Sequence, residues 1–165
     1  LCTGSGCLAI SIAAERANWT LTGSDLSKEA LDVAQHNAQQ CIPERSIEWI
    51  QSDGFNDLNG QFDLIVTNPP YIGTTERDQL DPEVAEHDPH LALFSGDDGL
   101  DLVRRIVTQA SQHLRSKGWL LIEHGHTQGA TLRDLLTDHG FESIKTHRDL
   151  GQRERVSLGR WPGVD

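Results

Sequence analysis

Phe62-Asp63-Leu64-Ile65-Val66-Thr67-Asn68-Pro69-Pro70-Tyr71 carries two instructions in succession. The first six residues form a short, mostly apolar run bounded by turn formers, the pattern of a buried strand. The last four residues continue neither a strand nor a helix. Two successive prolines fix φ and remove two backbone donors, so the carbonyls there stay free to accept hydrogen bonds. Asn68 adds a side-chain acceptor and two donors. A stiff rim at a strand's C-terminal end lies where open α/β sheets bind ligands. Its chemistry suits a substrate that carries an NH2 group.

Outward from this stretch, helix and strand patterns alternate. Residues 7–16 read as a helix opened by the turn Thr3-Gly4-Ser5-Gly6, and residues 19–24 as a strand. Ser27 is an N-cap for a helix over 28–40, and Pro43 closes that unit. Residues 47–51 form a short strand. Residues 73–98 are polar, with Thr75-Glu76-Arg77-Asp78 highly charged. A connection of that length points to function or mobility. Residues 100–115 place Leu102, Val103, Ile106, Val107, Ala110 and Leu114 at helical spacing. Residues 119–123 are a buried strand, and 128–139 a helix ended by Gly140. Residues 141–146 and 155–158 close the chain as an antiparallel pair. The alternation predicts an α/β fold with a doubly wound sheet and one antiparallel edge.

The length of 165 residues fits one domain, with a mostly aliphatic core because only 5% of residues are aromatic. No apolar run approaches the roughly 18 residues of a membrane span, and no signal peptide opens the chain, so a cytoplasmic location is expected. Cys2, Cys7 and Cys41 are odd in number and form no CxxC pair, which suits reduced thiols. A net charge of −11 disfavours nucleic acid as the main partner. The chain holds no methionine and begins just before a glycine turn. It therefore reads as a fragment that lacks most of its first strand.

Thr3-Gly4-Ser5-Gly6 between a strand end and a helix start lets backbone approach a ligand, with free N–H groups behind it. A plain tight turn is the simpler reading. Asp25 ends the next strand, where an acidic residue commonly holds ribose hydroxyls, or else it is a turn aspartate ahead of Ser27. NAD and S-adenosylmethionine both fit this pair, because Ala9 at the third fingerprint position suits either. The Asn68–Tyr71 rim favours methyl transfer, since hydride transfer has no use for an amide clamp. His87, Asp88 and His90 around Pro89 read as a polar loop rather than a metal site, and Glu76 to Asp81 as a solvated face. His124 and His126 flank Gly125 in what reads as a structural turn. Trp19, Trp49 and Trp119 are expected in the core and Trp161 at the surface.

Taken together, Leu1-Cys2-Thr3-Gly4-Ser5-Gly6, Asp25, Ser52-Asp53, Asn68-Pro69-Pro70-Tyr71 and Glu123-His124-Gly125 resemble the glutamine-N5 methyltransferases of the HemK/PrmC family. Ala92-Leu93 with Gly96-Asp97-Asp98-Gly99-Leu100 also matches. The tail from Arg148-Asp149-Leu150-Gly151 through Arg155-Val156 to Gly159-Arg160 is similar to the branch that modifies peptide chain release factors. The tetrapeptide alone is shared with DNA adenine methyltransferases.

The resemblance implies a Rossmann-like class I fold, S-adenosylmethionine as cofactor and release factors as protein partners, while the residues themselves lead us to expect no membrane and no metal. It also implies roles for particular residues. Cys2, Thr3, Gly4, Ser5 and Gly6 would form the cofactor loop, and Asp25 would hold the ribose. Asp53 and Gly54 would lie near the adenine, with Asn68 also on the cofactor's side. Asn68 and the Pro69 carbonyl would bind the substrate NH2, with Pro70 and Tyr71 beside it. No catalytic acid or base is implied. Cys2 stands where many members have glycine, and Gly54 where some have an aromatic. The family's helical recognition domain is outside this chain. Rival readings are a ribosomal-protein glutamine, a DNA adenine, or an inactive scaffold fragment.

Overall fold

In the computed structural model, which describes residues 1–75 and 93–163, the chain divides into two units, Leu1–Gly60 and Gln61–Asp165. His87, Asp88 and His90, the 76–81 stretch and Ala92 lie outside the described residues.

In the first unit, helix α1 (Cys7–Glu15) starts directly from the glycine turn, with Gly6 as N-cap at φ 83°. Strand β1 (Thr22–Asp25) pairs in parallel with β2 (Glu48–Gln51), from Thr22 opposite Glu48 to Asp25 opposite Gln51. Helix α2 (Lys28–Cys41) begins where its residue types require: the Ser27 hydroxyl accepts from Ala30 N at 3.1 Å. Leu31, Ala34 and Ala38 form its inner stripe. The core joins Ala13, Ala38, Ile42 and Ile47, with Ala9, Ile10, Leu21 and Trp49 against them. Trp49 lies across from Gly23, where a Cβ would come within 2.3 Å of its ring. Only glycine leaves room for the indole over β1.

Trp19 departs from expectation: it precedes β1 and is 47% exposed. Arg45 explains this. Its guanidinium donates to the carbonyls of Arg16 and Trp19, each at 3.2 Å, and to that of Ala17. Carbonyls that converge on one side chain require a turn, not an extended strand. The Trp19 ring then packs under the Arg16 guanidinium, 5.9 Å from its centre.

In the second unit, four strands hydrogen-bond in the order β3-β4-β6-β5. Strand β3 (Phe62–Thr67) has the predicted bounds and runs parallel to β4 (Leu114–Glu123). Strand β6 (Glu154–Arg160) lies antiparallel to β4 and to β5 (Glu142–Arg148), which is the expected closing pair; β6 is longer than expected at both ends, while β5 starts one residue later and runs two residues further. Helix α3 (Asp101–His113) buries Val103, Ile106, Val107 and Ala110, and α4 (Gly129–Asp138) buries Leu132 and Leu136.

The helix expected over 100–115 thus stops at His113, and the strand expected at 119 begins at 114. The cause is long-range: Lys117, at φ 68°, donates its N–H to Trp161 O, and Trp161 N donates to Gly118 O. Pairing with the chain's last strand draws these residues out of the helix. Trp161 is consequently half-buried rather than at the surface, with its ring 5.7 Å from that of Phe141. Among the described residues, no helix is long and apolar enough to cross a membrane.

Candidate active site

The glycine turn is held by the strand it precedes. Thr3 N donates to Ser24 O at 2.9 Å and Gly6 N to Thr3 O at 2.9 Å. Gly4 N donates to Asp25 Oδ2 at 2.8 Å, and Ser27 N to Asp25 Oδ1 at 3.0 Å. The Asp25 main-chain carbonyl accepts from Ser52 N at 2.9 Å. Asp25 therefore fastens three segments: the turn, the start of α2 and the end of β2. An ionised carboxylate has about four lone-pair sites, so two backbone donors leave room for further hydroxyl donors.

Position 4 favours glycine at its φ of 53°, and a Cβ there would meet nothing within 4 Å. At Gly6 a Cβ would stand 2.9 Å from Ala34 Cβ, so the turn is open on one side and packed on α2 on the other. Helix α1 has no side-chain cap. Its first N–H groups are the kind that receive anionic or polar ligand atoms.

Asp53 and Gly54 follow β2. The Ser52 hydroxyl donates to Gly54 O at 3.0 Å and accepts from Asp57 N at 3.1 Å. Gly54 sits at φ 62°, a left-handed turn position that suits glycine better than an aromatic residue. Cys2 also has a left-handed φ, 52°, which accounts for a preference for glycine there. The structure thus brings Cys2, Thr3, Gly4, Ser5, Gly6, Asp25, Asp53 and Gly54 to one edge of the first unit, at the C-terminal ends of β1 and β2.

The rim belongs to the second unit. Asn68 is exposed, Pro69 is buried, and Pro70 and Tyr71 are half-buried. Beyond them, Ile72 N donates to Leu93 O at 2.9 Å and Ser95 N to Ile72 O at 3.1 Å. Thr74 N donates to Gly96 O at 2.9 Å. The Gly96–Leu100 segment thus runs beside the rim. Its Asp98 is ion-paired with Arg104, whose guanidinium holds the carboxyl below the usual range.

His124 stands in a buried network. Its Nδ1 faces Gly125 O at 2.8 Å and its Nε2 faces Ser157 Oγ at 2.9 Å. A carbonyl can only accept, so Nδ1 carries the proton and Nε2 accepts from Ser157. Ser157 then accepts from Thr146 (2.9 Å), and Thr146 from Arg133 (3.0 Å). Arg133 also pairs with Glu154 at 3.0 Å. Burial pushes the His124 pKa below its ordinary value.

Sequence reasoning passed over Gln128, taken only as a helix start. It is buried, and its side-chain amide reaches Tyr71 O, Asp98 O and Gly125 N at 2.8–3.0 Å. Its place just after the Glu123-His124-Gly125 turn and before a helix was the only local hint. Among the described residues, no group of three His, Cys, Asp or Glu side chains is placed to hold a metal ion.

The architecture is that of solved methyltransferases. A ribosomal protein L11 methylase from Lactobacillus delbrueckii superposes with a TM-score of 0.69 at 19% identity, covering 97% of this chain and 67% of that one. A methyltransferase from Pyrococcus furiosus does so with a TM-score of 0.70 at 17% identity, covering 98% and 72%. The chain belongs to the methyltransferase small domain family, whose sequence profile matches residues 1–86.

Among curated relatives, the release factor glutamine methyltransferase of Pseudomonas aeruginosa is 45% identical over 91% of this chain and 54% of its own length. That of Streptomyces coelicolor is 40% identical over 97% of this chain and 57% of its own length. The chain thus spans a little over half the length of these relatives.

Proposed function

We propose that this chain is the catalytic portion of an S-adenosylmethionine-dependent protein methyltransferase. Its acceptor is the side-chain amide nitrogen of a glutamine, in the Gly-Gly-Gln motif of a peptide chain release factor, and it acts in the cytoplasm. The observation that carries this reading is the exposed Asn68 between the end of β3 and two prolines. It stands in a chain whose relatives bear the name of that activity. The net charge of −11 favours a protein acceptor over a polyanionic one.

S-adenosylmethionine supplies an electrophilic methyl group. The residues of the first unit fit such a cofactor: the open turn at Gly4 and the uncapped start of α1 suit its polar atoms. The further acceptor capacity of the Asp25 carboxylate suits ribose hydroxyls, and the turn at Asp53-Gly54 suits the adenine side.

In the second unit, the work is on the amide. An amide nitrogen is a poor nucleophile because its lone pair is delocalised into its carbonyl. The Asn68 side-chain oxygen and the Pro69 carbonyl each accept one hydrogen of the substrate NH2. Two acceptors fix the nitrogen's direction and favour pyramidal character, and alignment of this sort supplies much of the rate. The same acceptors stabilise the positive charge that develops on nitrogen. The proton leaves after transfer, so no strong base is needed.

The test is mass spectrometry of a release factor incubated with the full-length protein and S-adenosylmethionine. The expected product carries the mass of one added methyl group on the Gly-Gly-Gln glutamine. An unmodified glutamine under conditions where the cofactor binds overturns the reading.

A further inference from the structure

We propose that Gln128 is the positioning residue of the amide clamp: it fixes the backbone at Tyr71 and thereby the direction in which Asn68 and Pro69 present their acceptors. The inference rests on reading that rim as the clamp.

The rim has an anchoring problem that follows from its composition. Pro69 and Pro70 carry no N–H, so this backbone cannot be tied down there by its own donors. Just beyond them the backbone is held through the Tyr71 carbonyl, by a donor from elsewhere in the fold. Gln128 supplies it. Its Nε2 donates one hydrogen to Tyr71 O at 2.9 Å and the other to Asp98 O at 3.0 Å. Its Oε1 accepts from Gly125 N at 2.8 Å. Its own backbone N–H returns to Gly125 O at 2.9 Å, which closes a reciprocal pair.

Each hydrogen-bonding group of the side chain that could be matched is matched, in a residue only 8% exposed. The amide orientation is unambiguous, because two carbonyls face the nitrogen and one N–H faces the oxygen. Three segments meet on this one side chain: the rim after β3, the turn before α3 and the turn after β4. Two glycines make space for it. At Gly99, φ 76°, a Cβ would lie 2.0 Å from Tyr71 O and 2.9 Å from Gln128 Nε2. At Gly125 a Cβ would stand 3.0 Å from Gln128 Oε1. A side chain at position 99 would occupy the very place where amide and carbonyl meet.

Charge makes the requirement specific to glutamine. Gln128→Glu keeps size and shape but sets one carboxylate oxygen, which can only accept, against both carbonyls. A displacement of about 1 Å in a positioning element costs on the order of a hundredfold in rate. The side chain bonds to Gly125, Tyr71 and Asp98, so the expected effect falls on turnover and leaves cofactor affinity unchanged.

The experiment uses full-length protein labelled with carbonyl-13C tyrosine and 15N isoleucine, which selects the Tyr71–Ile72 peptide. Gln128→Glu is compared with wild type, with Gln128→Met as a second variant that removes the donors without adding charge. Ile106→Val, in the α3 core, serves as a control for a comparable loss of melting temperature. The expected result is an upfield move of the Tyr71 carbonyl resonance and a fall of about a hundredfold in kcat toward a release factor, with unchanged calorimetric affinity for S-adenosylmethionine. An unmoved Tyr71 carbonyl in both variants overturns the inference, as does a kcat loss no larger than that of Ile106→Val. If wild type itself transfers no methyl group to the release factor, the function proposed above falls. The Tyr71 resonance then decides alone whether Gln128 holds the rim.

Discussion

The backbone N–H of Gly4 donates to the Asp25 carboxylate at 2.8 Å, so the residue that ends β1 also holds the glycine turn. The other carboxylate oxygen holds Ser27 N, the residue that caps α2. One side chain thus ties local structure to the place where a cofactor is proposed to bind. Asp25→Ala removes the acceptor of both bonds. Hydrogen bonds to charged groups contribute about 1.5–3 kcal/mol each, so after allowance for a half-exposed site the loss is expected at about 2–4 kcal/mol. Urea unfolding measures it. Calorimetry on the same variant should find cofactor binding weakened at least about tenfold, equivalent to 1.4 kcal/mol.

Asn68→Ala should behave in the opposite way. Asn68 is exposed, so stability should stay within about 0.5 kcal/mol of wild type. Methyl transfer should fall by roughly 10²–10³-fold if the side chain stabilises developing charge, as loss of one such group does elsewhere. Parallel denaturation and single-turnover assays separate the two. A variant with normal turnover would remove Asn68 from the clamp.

His124 should make stability depend on pH in a defined direction. Its ordinary pKa is 6.5, and burial lowers it in the folded chain. Protonation also places a hydrogen on Nε2, where the Ser157 hydroxyl now donates. The unfolded chain therefore takes up this proton at a higher pH than the folded one. The contribution is fully present above about pH 6.5 and is lost as pH falls toward the depressed folded value. Urea midpoints measured downward from neutral pH should fall more steeply for wild type than for His124→Gln, which cannot titrate. Parallel curves for the two would show that this histidine is not the group responsible.

Two glycines with similar backbone angles should respond differently to alanine. Gly140 ends α4 at φ 79°, and a Cβ there would meet only Trp161, at 3.5 Å. Gly140→Ala should cost about 1–2 kcal/mol, the left-handed penalty alone. Gly99→Ala carries the same penalty and adds a collision with Tyr71 O. It should exceed Gly140→Ala in thermal melts and also abolish turnover, since the rim must move. Equal losses in both variants would contradict the tight approach at position 99.

Much of this could be read locally. The bounds of β3 were legible because an apolar run met two prolines, which end a strand by their own covalent structure. The start of α2 was legible at Ser27 because a hydroxyl satisfies the first free N–H groups. Trp19 was misplaced because its exposure depends on Arg45, whose guanidinium draws the carbonyls around it into a turn. The start of β4 was misplaced because Trp161, far along the chain, pairs with residues that a local pattern assigns to a helix.

The division has a physical basis. Proline, glycine and capping side chains act on their own neighbours, so the amino-acid order alone settled where β3 ends, where α1 and α2 begin and which residue types line the two edges. The partners of Gln128 and His124 lie 57 and 33 positions away at Tyr71 and Ser157, and no periodicity encodes such a meeting. Those hydrogen bonds exist only after the strands have paired and the helices have packed. Tertiary structure therefore decided that a glutamine read as a plain helix start holds the rim, and that a turn histidine is buried with its proton on Nδ1.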